Sequence, residues 1–194
     1  MGKAERTRQY ILEKSAQLFN VKGVAGTTVQ DIQEVTKLGK GGLYGNFESK
    51  EDIALAAFDH LRGRLQVYLD EAVDTQETAK GKLFALLDAY AKIYKESKGG
   101  CPLLNFGVES DDTEPVMKDR VRQAARCSQQ RIYKLVVAGI ASGEFTREMD
   151  ARIFALKAFA TVEGGIFLSR LHDSPRQMNQ LMELLKHEIE SYCL

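Results

Sequence analysis

A short segment of the chain, Leu38–Ile53, carries four glycines in seven residues and lies between two stretches with helical periodicity. Glycine in a helix interior costs about 1 kcal/mol relative to alanine. A segment of this composition is therefore a loop, or a helix whose bare backbone must approach another molecule closely. Any fold proposed for this chain has to account for it.

The rest of the chain repeats apolar residues at three- and four-residue intervals, which is typical of amphipathic helices. Glycine, proline and capping signals divide it into segments, and we find no strand-like alternation of any length. We therefore predict an all-α fold of about nine helices. Three of the predicted helices are short: one capped by Thr28, one in the glycine segment and one after Cys101. The others span residues 4–22, 49–71, 77–98, 115–142, 150–172 and 175–192.

Composition excludes several classes of function. Lys plus Arg and Asp plus Glu both number 27, so bulk charge favours neither a nucleic acid nor a membrane, although a local basic site stays open. The N-terminus is charged and there is no apolar run of membrane length, so we predict a cytoplasmic protein without a membrane partner. The three cysteines lack metal-type spacing, and we predict no metal and no cofactor. Three scattered histidines, no phosphate loop and no nucleophile motif argue against an enzyme.

Two short helices joined by a tight turn would form a helix-turn-helix, whose second helix enters the DNA major groove. We interpret Gly39 as the turn or cap and residues 40–46 as the recognition helix. Leu43 and Phe47, four residues apart, would anchor it to the core. The alternative is a plain surface turn between two helices.

The outward positions of this helix suit DNA. Lys40 fits a phosphate or a guanine edge, Tyr44 a phosphate, and Asn46 a phosphate or an adenine edge. Gly41 and Gly42 would allow flat packing of the backbone against the duplex. Close approach of the helix backbone to DNA would therefore explain the glycine-rich composition.

The stretch "TTVQDIQEVTKLGKGGLYGNFESKEDI" resembles the N-terminal DNA-binding domain of the TetR family of bacterial transcriptional regulators. The resemblance implies a helix-turn-helix domain over residues 1–48 and a helical effector-binding and dimerisation domain over 49–194, with 49–71 as the connecting helix. It further implies a homodimeric repressor with two partners, a double-stranded DNA operator and a small-molecule effector. A TetR-like module that binds a ligand or protein without specific DNA binding remains the alternative.

Family roles carry over by position. The implied DNA-binding residues are Thr28, Lys40, Gly41, Gly42, Tyr44, Asn46 and Lys50, with Thr28 and Lys50 on phosphates. Glycine replaces commoner family residues at Gly39, Gly42 and Gly45. These departures imply looser direct readout and more weight on phosphates and DNA shape.

Cys101 precedes Pro102, which favours the first position of a helix. A cysteine at a helix N-cap, with Lys95 and Lys98 near in sequence, would have a stabilised thiolate. "GCPLLNFGVES" also resembles a TetR subgroup that responds to electrophiles such as N-ethylmaleimide and quinones. The alternative is an inert cysteine that packs the start of the helix.

Five aromatic residues fall in helices that surround the effector pocket in this family. Together with Cys101, they are the predicted ligand-binding residues: Phe84, Tyr90, Tyr94, Phe106 and Tyr133. A pocket with an apolar lining and a few hydroxyls has this composition, and so does a plain core.

The stretch "FALKAFATVEGGIFLSRL" has a broad apolar face and two adjacent glycines, Gly164 and Gly165. Helix glycines suit a site where another helix backbone comes close. By resemblance this is the dimer surface, formed by Ala155, Ala158, Phe159, Val162 and Gly165. Packing within the chain is the alternative.

Overall fold

The computed structural model describes the backbone of residues 2–96 and 98–194, and their side chains except those of residues 94–96. The fold is all-α, as predicted, with nine helices in this part of the chain. None of the described helices is long and apolar enough to cross a bilayer. The helices are α1 (Lys3–Lys22), α2 (Val29–Thr36), α3 (Lys40–Tyr44), α4 (Lys50–Asp74), α5 (Ala79–Glu96), α6 (Pro102–Ser110), α7 (Pro115–Ser142), α8 (Ala151–Leu171) and α9 (Arg176–Ser191).

Local capping explains where several helices begin. At the start of α2, the Thr28 hydroxyl accepts the Asp31 N–H at 3.1 Å, and the Asp31 carboxylate accepts the Thr28 N–H at 2.8 Å. This reciprocal pair is a capping box. Asp150 caps α8 by accepting the backbone N–H groups of Arg152 and Ile153. The cap at Thr28 was predicted from the sequence and is confirmed.

Helix ends use the left-handed backbone region, but not always through glycine. Gly23 and Gly143 end α1 and α7 with φ of +76° and +77°. In the turn between α2 and α3 the left-handed residue is Lys37, with φ of +57°, while Gly39 has φ of −71°. Gly39 is therefore the N-cap of α3 and not its turn residue.

The first compact unit comprises residues up to Leu65 together with Pro102–Val121. Its core packs α1, α2, α3, the first half of α4 and α6. The Phe58 and Phe106 rings lie 5.4 Å apart, and Arg120 pairs with Asp59. Each large side chain that is fully buried contributes about 1.5–3 kcal/mol. Such residues in this unit are Ile11, Phe19, Ile32, Leu43, Ile53, Phe58 and Phe106.

The second compact unit comprises Gln66–Cys101 and Arg122–Leu194. Helices α5, α8 and α9 pack together in it. The Glu144 carboxylate caps α5 by accepting the N–H groups of Ala79 and Lys80, both at 3.0 Å. These hydrogen bonds, first that from Ala79, lower the pKa of Glu144. The Ser169 hydroxyl accepts the Met178 N–H at 2.9 Å and so orders the start of α9.

The packing units divide the chain differently from the predicted boundary at residues 48 and 49. The first unit continues along α4 to Leu65 and includes α6. The physical reason is that the first half of α4 buries Ile53, Ala57 and Phe58. The predicted division by function is a separate statement and stays a prediction.

Candidate functional site

The proposed recognition helix α3 is short, at five residues, and is held by two apolar anchors. Leu43 is fully buried and Phe47 is 3% exposed, as their four-residue spacing suggested. Lys40 is exposed and Tyr44 is 44% exposed. The helix therefore presents one side to the core and the other, with these two polar groups, to the solvent.

The two glycines of α3 are not required by the protein interior. A Cβ added to Gly41 would have no heavy atom within 4 Å, and one added to Gly42 would lie 3.4 Å from the Leu38 Cβ, an ordinary contact. Their backbone conformation is helical and open to any residue. The bare backbone of this helix thus faces outward, where a duplex could approach it closely.

Asn46 and Arg8 hold the end of the recognition helix. The Asn46 side-chain amide donates to the Gly42 carbonyl at 2.9 Å, and the Asn46 carbonyl accepts from the Arg8 guanidinium at 2.7 Å. The Arg8 guanidinium also lies 4.0 Å from the centroid of the Phe47 ring and 3.8 Å from Asp52. Sequence reasoning missed Arg8, because a partner 38 positions away leaves no local signal.

Thr28 and Lys50 lie on either side of this helix in sequence. Thr28 is exposed at the start of α2. The hydrogen bond from Lys22, at 2.7 Å, and those from Thr28 lower the pKa of Asp31 to about 2. The Lys50 ammonium is half-buried and donates to the carbonyls of Val24 and Thr27 at 2.7 and 3.1 Å. The Lys50 ammonium thus has two hydrogen-bond partners within the chain. The resemblance had implied only a flanking phosphate.

Cys101 lies in the second unit, immediately before α6, and is 3% exposed. Its thiol donates to the Glu163 carboxylate of α8 at 3.2 Å. Burial raises the pKa of Glu163 to about 7, and the hydrogen bond from Cys101 opposes this rise. A charged neighbour of the thiol is thus a carboxylate, which the sequence did not suggest. The side chain of Lys95 lies outside the described residues.

Further polar groups surround this cysteine. Tyr90 is buried, which raises its pKa, and its hydroxyl interacts with Ser128. The atoms Glu163 Oε2 and Arg131 NH1 are buried and have no hydrogen-bond partner within the described part of the chain. Buried polar atoms of this kind are costly, and they are the groups that a bound polar molecule could satisfy.

The structure does not bring the six predicted ligand residues together. Phe84 lines a groove of about 590 Å³ beside Tyr68, and Tyr133 lines another of about 480 Å³ beside Arg126. Phe106 belongs to the core of the first unit, against Phe58. The side chain of Tyr94 lies outside the described residues. Tyr90 and Cys101 are the two that meet in one polar cluster.

The predicted dimer residues lie on the inward side of α8. Ala155, Ala158, Val162 and Gly165 are buried within the chain, and Phe159 is half-buried. A Cβ on Gly165 would lie 2.7 Å from the Met178 sulfur of α9. The helix that comes close to this glycine belongs to the same chain. Four of these five residues therefore pack within the second unit, which was the alternative to a dimer surface, and the dimer proposed below uses another face of α8.

A second apolar face of α8 points to the solvent. It lies on the opposite side of the helix, at intervals that place its members on one stripe. A groove of about 670 Å³ next to it is lined by Leu168 of α8 and by Leu181, Leu184 and polar residues of α9. The exposed apolar residues are Ile153, Leu156, Phe167, Leu168 and Leu171 of α8, with Leu184 of α9.

Comparison with known proteins agrees with this architecture. The family description "Bacterial regulatory proteins, tetR family" matches residues 11–57, and "Tetracyclin repressor-like, C-terminal domain" matches residues 79–185. A TetR-family regulator from Cytophaga hutchinsonii is 34% identical, with a TM-score of 0.94 over 100% of this chain and 98% of that one. One from Chloroflexus aurantiacus is 36% identical, with the same TM-score and coverage. The repressor DhaR of Mycobacterium sp. (strain GP1) is 24% identical over 92% of this chain and 89% of its own length.

The fold and the helix-turn-helix define a DNA-binding transcriptional regulator. The chain belongs to the TetR family. Members of this family are regulators and not enzymes, which confirms the class predicted from the sequence.

Proposed function

We propose that this protein is a homodimeric repressor that binds a near-palindromic operator and is released from it by a small molecule. The observation that carries the proposal is the outward side of α3, where Lys40 and Tyr44 are exposed while Leu43 and Phe47 anchor the helix. A two-fold protein reads two half-sites, so the operator is a near-palindrome.

In this proposal, direct base readout is limited. Lys40, Gly41 and Gly42 face the bases and Tyr44 contacts the backbone. Asn46 also contacts the backbone, once its amide exchanges the Gly42 carbonyl for DNA. With two glycines on the reading face, phosphate contacts and DNA shape carry much of the specificity.

Two further residues support the phosphate contacts. Thr28 is exposed at the N-terminus of the eight-residue helix α2, where backbone N–H groups favour an anion. Lys50 donates to two carbonyls of the loop before Thr28 and has a third N–H for the flanking phosphate.

The dimer in this proposal uses the outward face of α8 with α9. Phe167 is 53% exposed and Leu156 54%, and the neighbouring groove is apolar. Exposed apolar surface of this extent marks an interaction site in a soluble chain. The occupant we propose is a second copy of the chain, since family members act on two-fold operators.

The effector in this proposal meets the polar cluster of the second unit. Tyr90, Arg131 and Glu163 offer a hydroxyl, a guanidinium N–H and a carboxyl oxygen, the last two without partners among the described residues. Tyr133 and Phe84 line two other surface grooves, and Phe106 packs against Phe58. Helix α4 belongs to both units and is the covalent route by which binding alters the DNA-binding helices.

A second candidate is covalent sensing at Cys101, favoured by its hydrogen bond to Glu163. The thiol proton passes to the Glu163 carboxylate, and the sulfur adds to the β-carbon of an electron-poor alkene such as N-ethylmaleimide. A C–S bond forms, the alkene electron pair moves to the carbonyl oxygen, and the resulting enolate takes a proton from water. Because Cys101 is 3% exposed, reaction requires an opening of the site.

Footprinting on the DNA upstream of the protein's own gene tests the function. Wild type should protect a near-palindrome, with affinity that falls steeply as salt rises. Lys40→Ala and Tyr44→Ala should each weaken binding by about 1–3 kcal/mol. If both bind like wild type, α3 is not the recognition helix. No protected site at all would favour a ligand-binding module without specific DNA binding.

The covalent candidate is tested with N-ethylmaleimide as the probe. Wild type should leave the operator on modification at Cys101, detected by mass spectrometry. Cys101→Ser should bind the operator and resist release, while Cys127→Ser, which changes an exposed thiol, should behave like wild type. Normal release of Cys101→Ser would leave a non-covalent effector as the mechanism.

A further inference from the structure

The loop between α1 and α2, residues 23–27, is held by a carboxylate from a distant part of the chain. The two oxygens of Glu109, in α6, accept the backbone N–H groups of Val24 and Ala25, each at 2.7 Å. Glu109 lies more than 80 positions away in sequence and outside the helix-turn-helix. Hydrogen bonds to a charged acceptor are among the stronger ones in proteins.

The same loop is held from a second side by a cation. Lys50, the first residue of α4, donates to the carbonyls of Val24 and Thr27 at 2.7 and 3.1 Å. Both the N–H and the C=O of Val24 are therefore bound by side chains of opposite charge. The negative carboxylate accepts from backbone N–H groups, and the positive ammonium donates to backbone carbonyls.

Local features leave this loop little freedom to adopt another path. Gly23 has φ of +76°, and a Cβ there would lie 2.9 Å from a Glu109 oxygen. Thr27 is 1% exposed, and its hydroxyl donates to the Gly23 carbonyl at 2.6 Å. The position of the loop thus follows from the position of Glu109 and Lys50.

The loop leads directly into α2, so its contacts with Glu109 and Lys50 affect the position of that helix. The next residue is Thr28, the N-cap of α2, and α2 leads through a three-residue turn into α3. The Tyr10 hydroxyl donates to the Thr36 carbonyl at 3.0 Å and holds the other end of α2. The Glu109–Lys50 pair therefore sets where α2 begins, and with it the phosphate contact proposed for Thr28.

We infer that Glu109, together with Lys50, is a positioning residue for operator binding: Glu109 touches no DNA and acts by fixing the loop that places Thr28 and α2. This inference rests on the proposed function. It extends the DNA-binding machinery to α6, where no DNA-contacting residue is expected.

The test compares two carboxylates with the same geometry in different units of the full-length protein. Glu109→Ala removes the clamp on the loop. Glu144→Ala is the matched control, because Glu144 also accepts two successive backbone N–H groups, at the start of α5. Glu109→Gln keeps one acceptor oxygen, and Lys50→Met removes the opposing cation while keeping the aliphatic stem.

Two measurements are made at a temperature at which all variants are folded. Operator and scrambled DNA are titrated at one salt concentration, and amide hydrogen exchange is followed at Val24 and Ala25. Glu109→Ala should lose roughly tenfold or more in operator affinity, in line with lost charge-assisted hydrogen bonds, with little change on scrambled DNA. Its two loop amides should exchange faster. Lys50→Met should lose operator affinity in the same direction, and Glu109→Gln should lie between Glu109→Ala and wild type.

Glu144→Ala should keep operator affinity within about twofold, a small fraction of the effect expected from a lost charged hydrogen bond. If Glu109→Ala and Glu144→Ala lose affinity equally, or neither does, the positioning role is overturned. The same holds if Glu109→Ala binds normally despite faster amide exchange. Failure of wild type to bind any specific duplex would instead remove the proposed function itself, and the inference with it.

Discussion

Helices α3 and α8 both carry adjacent glycines, and the two pairs lie in different surroundings. Gly41 of α3 has open space where a side chain would be, whereas Gly165 of α8 lies against Met178 and Leu181 of α9. In α3 the missing side chain exposes backbone to the solvent, and in α8 it admits a neighbouring helix. Paired glycines in a helix therefore do not by themselves indicate a close approach: Gly165 admits a helix of the same chain, whereas a Cβ on Gly41 or Gly164 would meet no described heavy atom within 4 Å.

The largest effect should come from the outward face of α8. Replacing Phe167 or Leu156 by Asp would bury an unpaired charge in the proposed dimer interface, a cost of several kcal/mol. We expect monomers by size-exclusion chromatography with light scattering, and an operator affinity at least about 100-fold lower because one half-site alone is weak. Val67→Asp, at an equally exposed position of α4, is the control and should remain dimeric. Dimers in the Phe167 and Leu156 variants would move the interface elsewhere.

Glu163 lies on a third side of α8, and its contribution to the stability of the protein should depend on pH. The folded-state pKa of about 7 lies above the ordinary value of 4.5, so the folded chain holds a proton that the unfolded chain releases. Stability should therefore fall as pH rises from about 4.5 to 7. Glu163→Gln should match wild type near pH 4 and be more stable at pH 8 by up to about 3 kcal/mol. Denaturant unfolding at both values measures this, and equal pH dependence in the two proteins would contradict it.

Substitutions on the inward face of α8 should lower the free energy of unfolding and leave the dimer intact. Gly165→Val would force side-chain atoms against buried Met178, and overpacking of this kind costs about 1–3 kcal/mol. Gly63→Val, in α4, is the comparison because a Cβ there would have no neighbour within 4 Å. Chemical denaturation should separate the two variants while both stay dimeric. A Gly165 variant that became monomeric at unchanged stability would restore the interface first predicted from the sequence.

The smallest effect concerns the glycines of α3. Gly41→Ala should raise stability by about 0.5–1 kcal/mol, because alanine favours the helix and the site is open. It should also weaken operator binding, since a methyl group would separate the backbone from the duplex. Gly63→Ala should give the stabilisation without the loss of affinity. Unchanged operator affinity in Gly41→Ala would mean that the bare backbone of α3 is not used on DNA.

Local sequence signals predicted most of the secondary structure. Thr28 caps α2 as predicted, and Gly143 and Asp150 lie at the predicted end of α7 and the predicted start of α8. Caps and stops depend on residues within four positions of one another, so a single sequence contains the whole interaction. The spacing of Leu43 and Phe47 likewise identified the buried side of α3.

Contacts between distant segments were not predictable in the same way. Glu109 and Val24 are 85 positions apart, Cys101 and Glu163 are 62, and Arg8 and Asn46 are 38. An acidic residue has the same local pattern whether it faces water, a thiol or a backbone N–H. The hydrogen bond from Cys101 to Glu163 and those from Lys50 to the loop carbonyls were therefore not among the predictions.

By itself, the sequence determined that the chain is helical, where most helices begin and end, and that its N-terminal part is a TetR-type DNA-binding domain. Only the tertiary structure decided which apolar face of α8 is used inside the chain and which face is left exposed. The physical reason is that both faces are apolar at helical spacing, so periodicity cannot rank them. The choice follows from the packing of α9 against Gly165, where the absence of a side chain admits Met178.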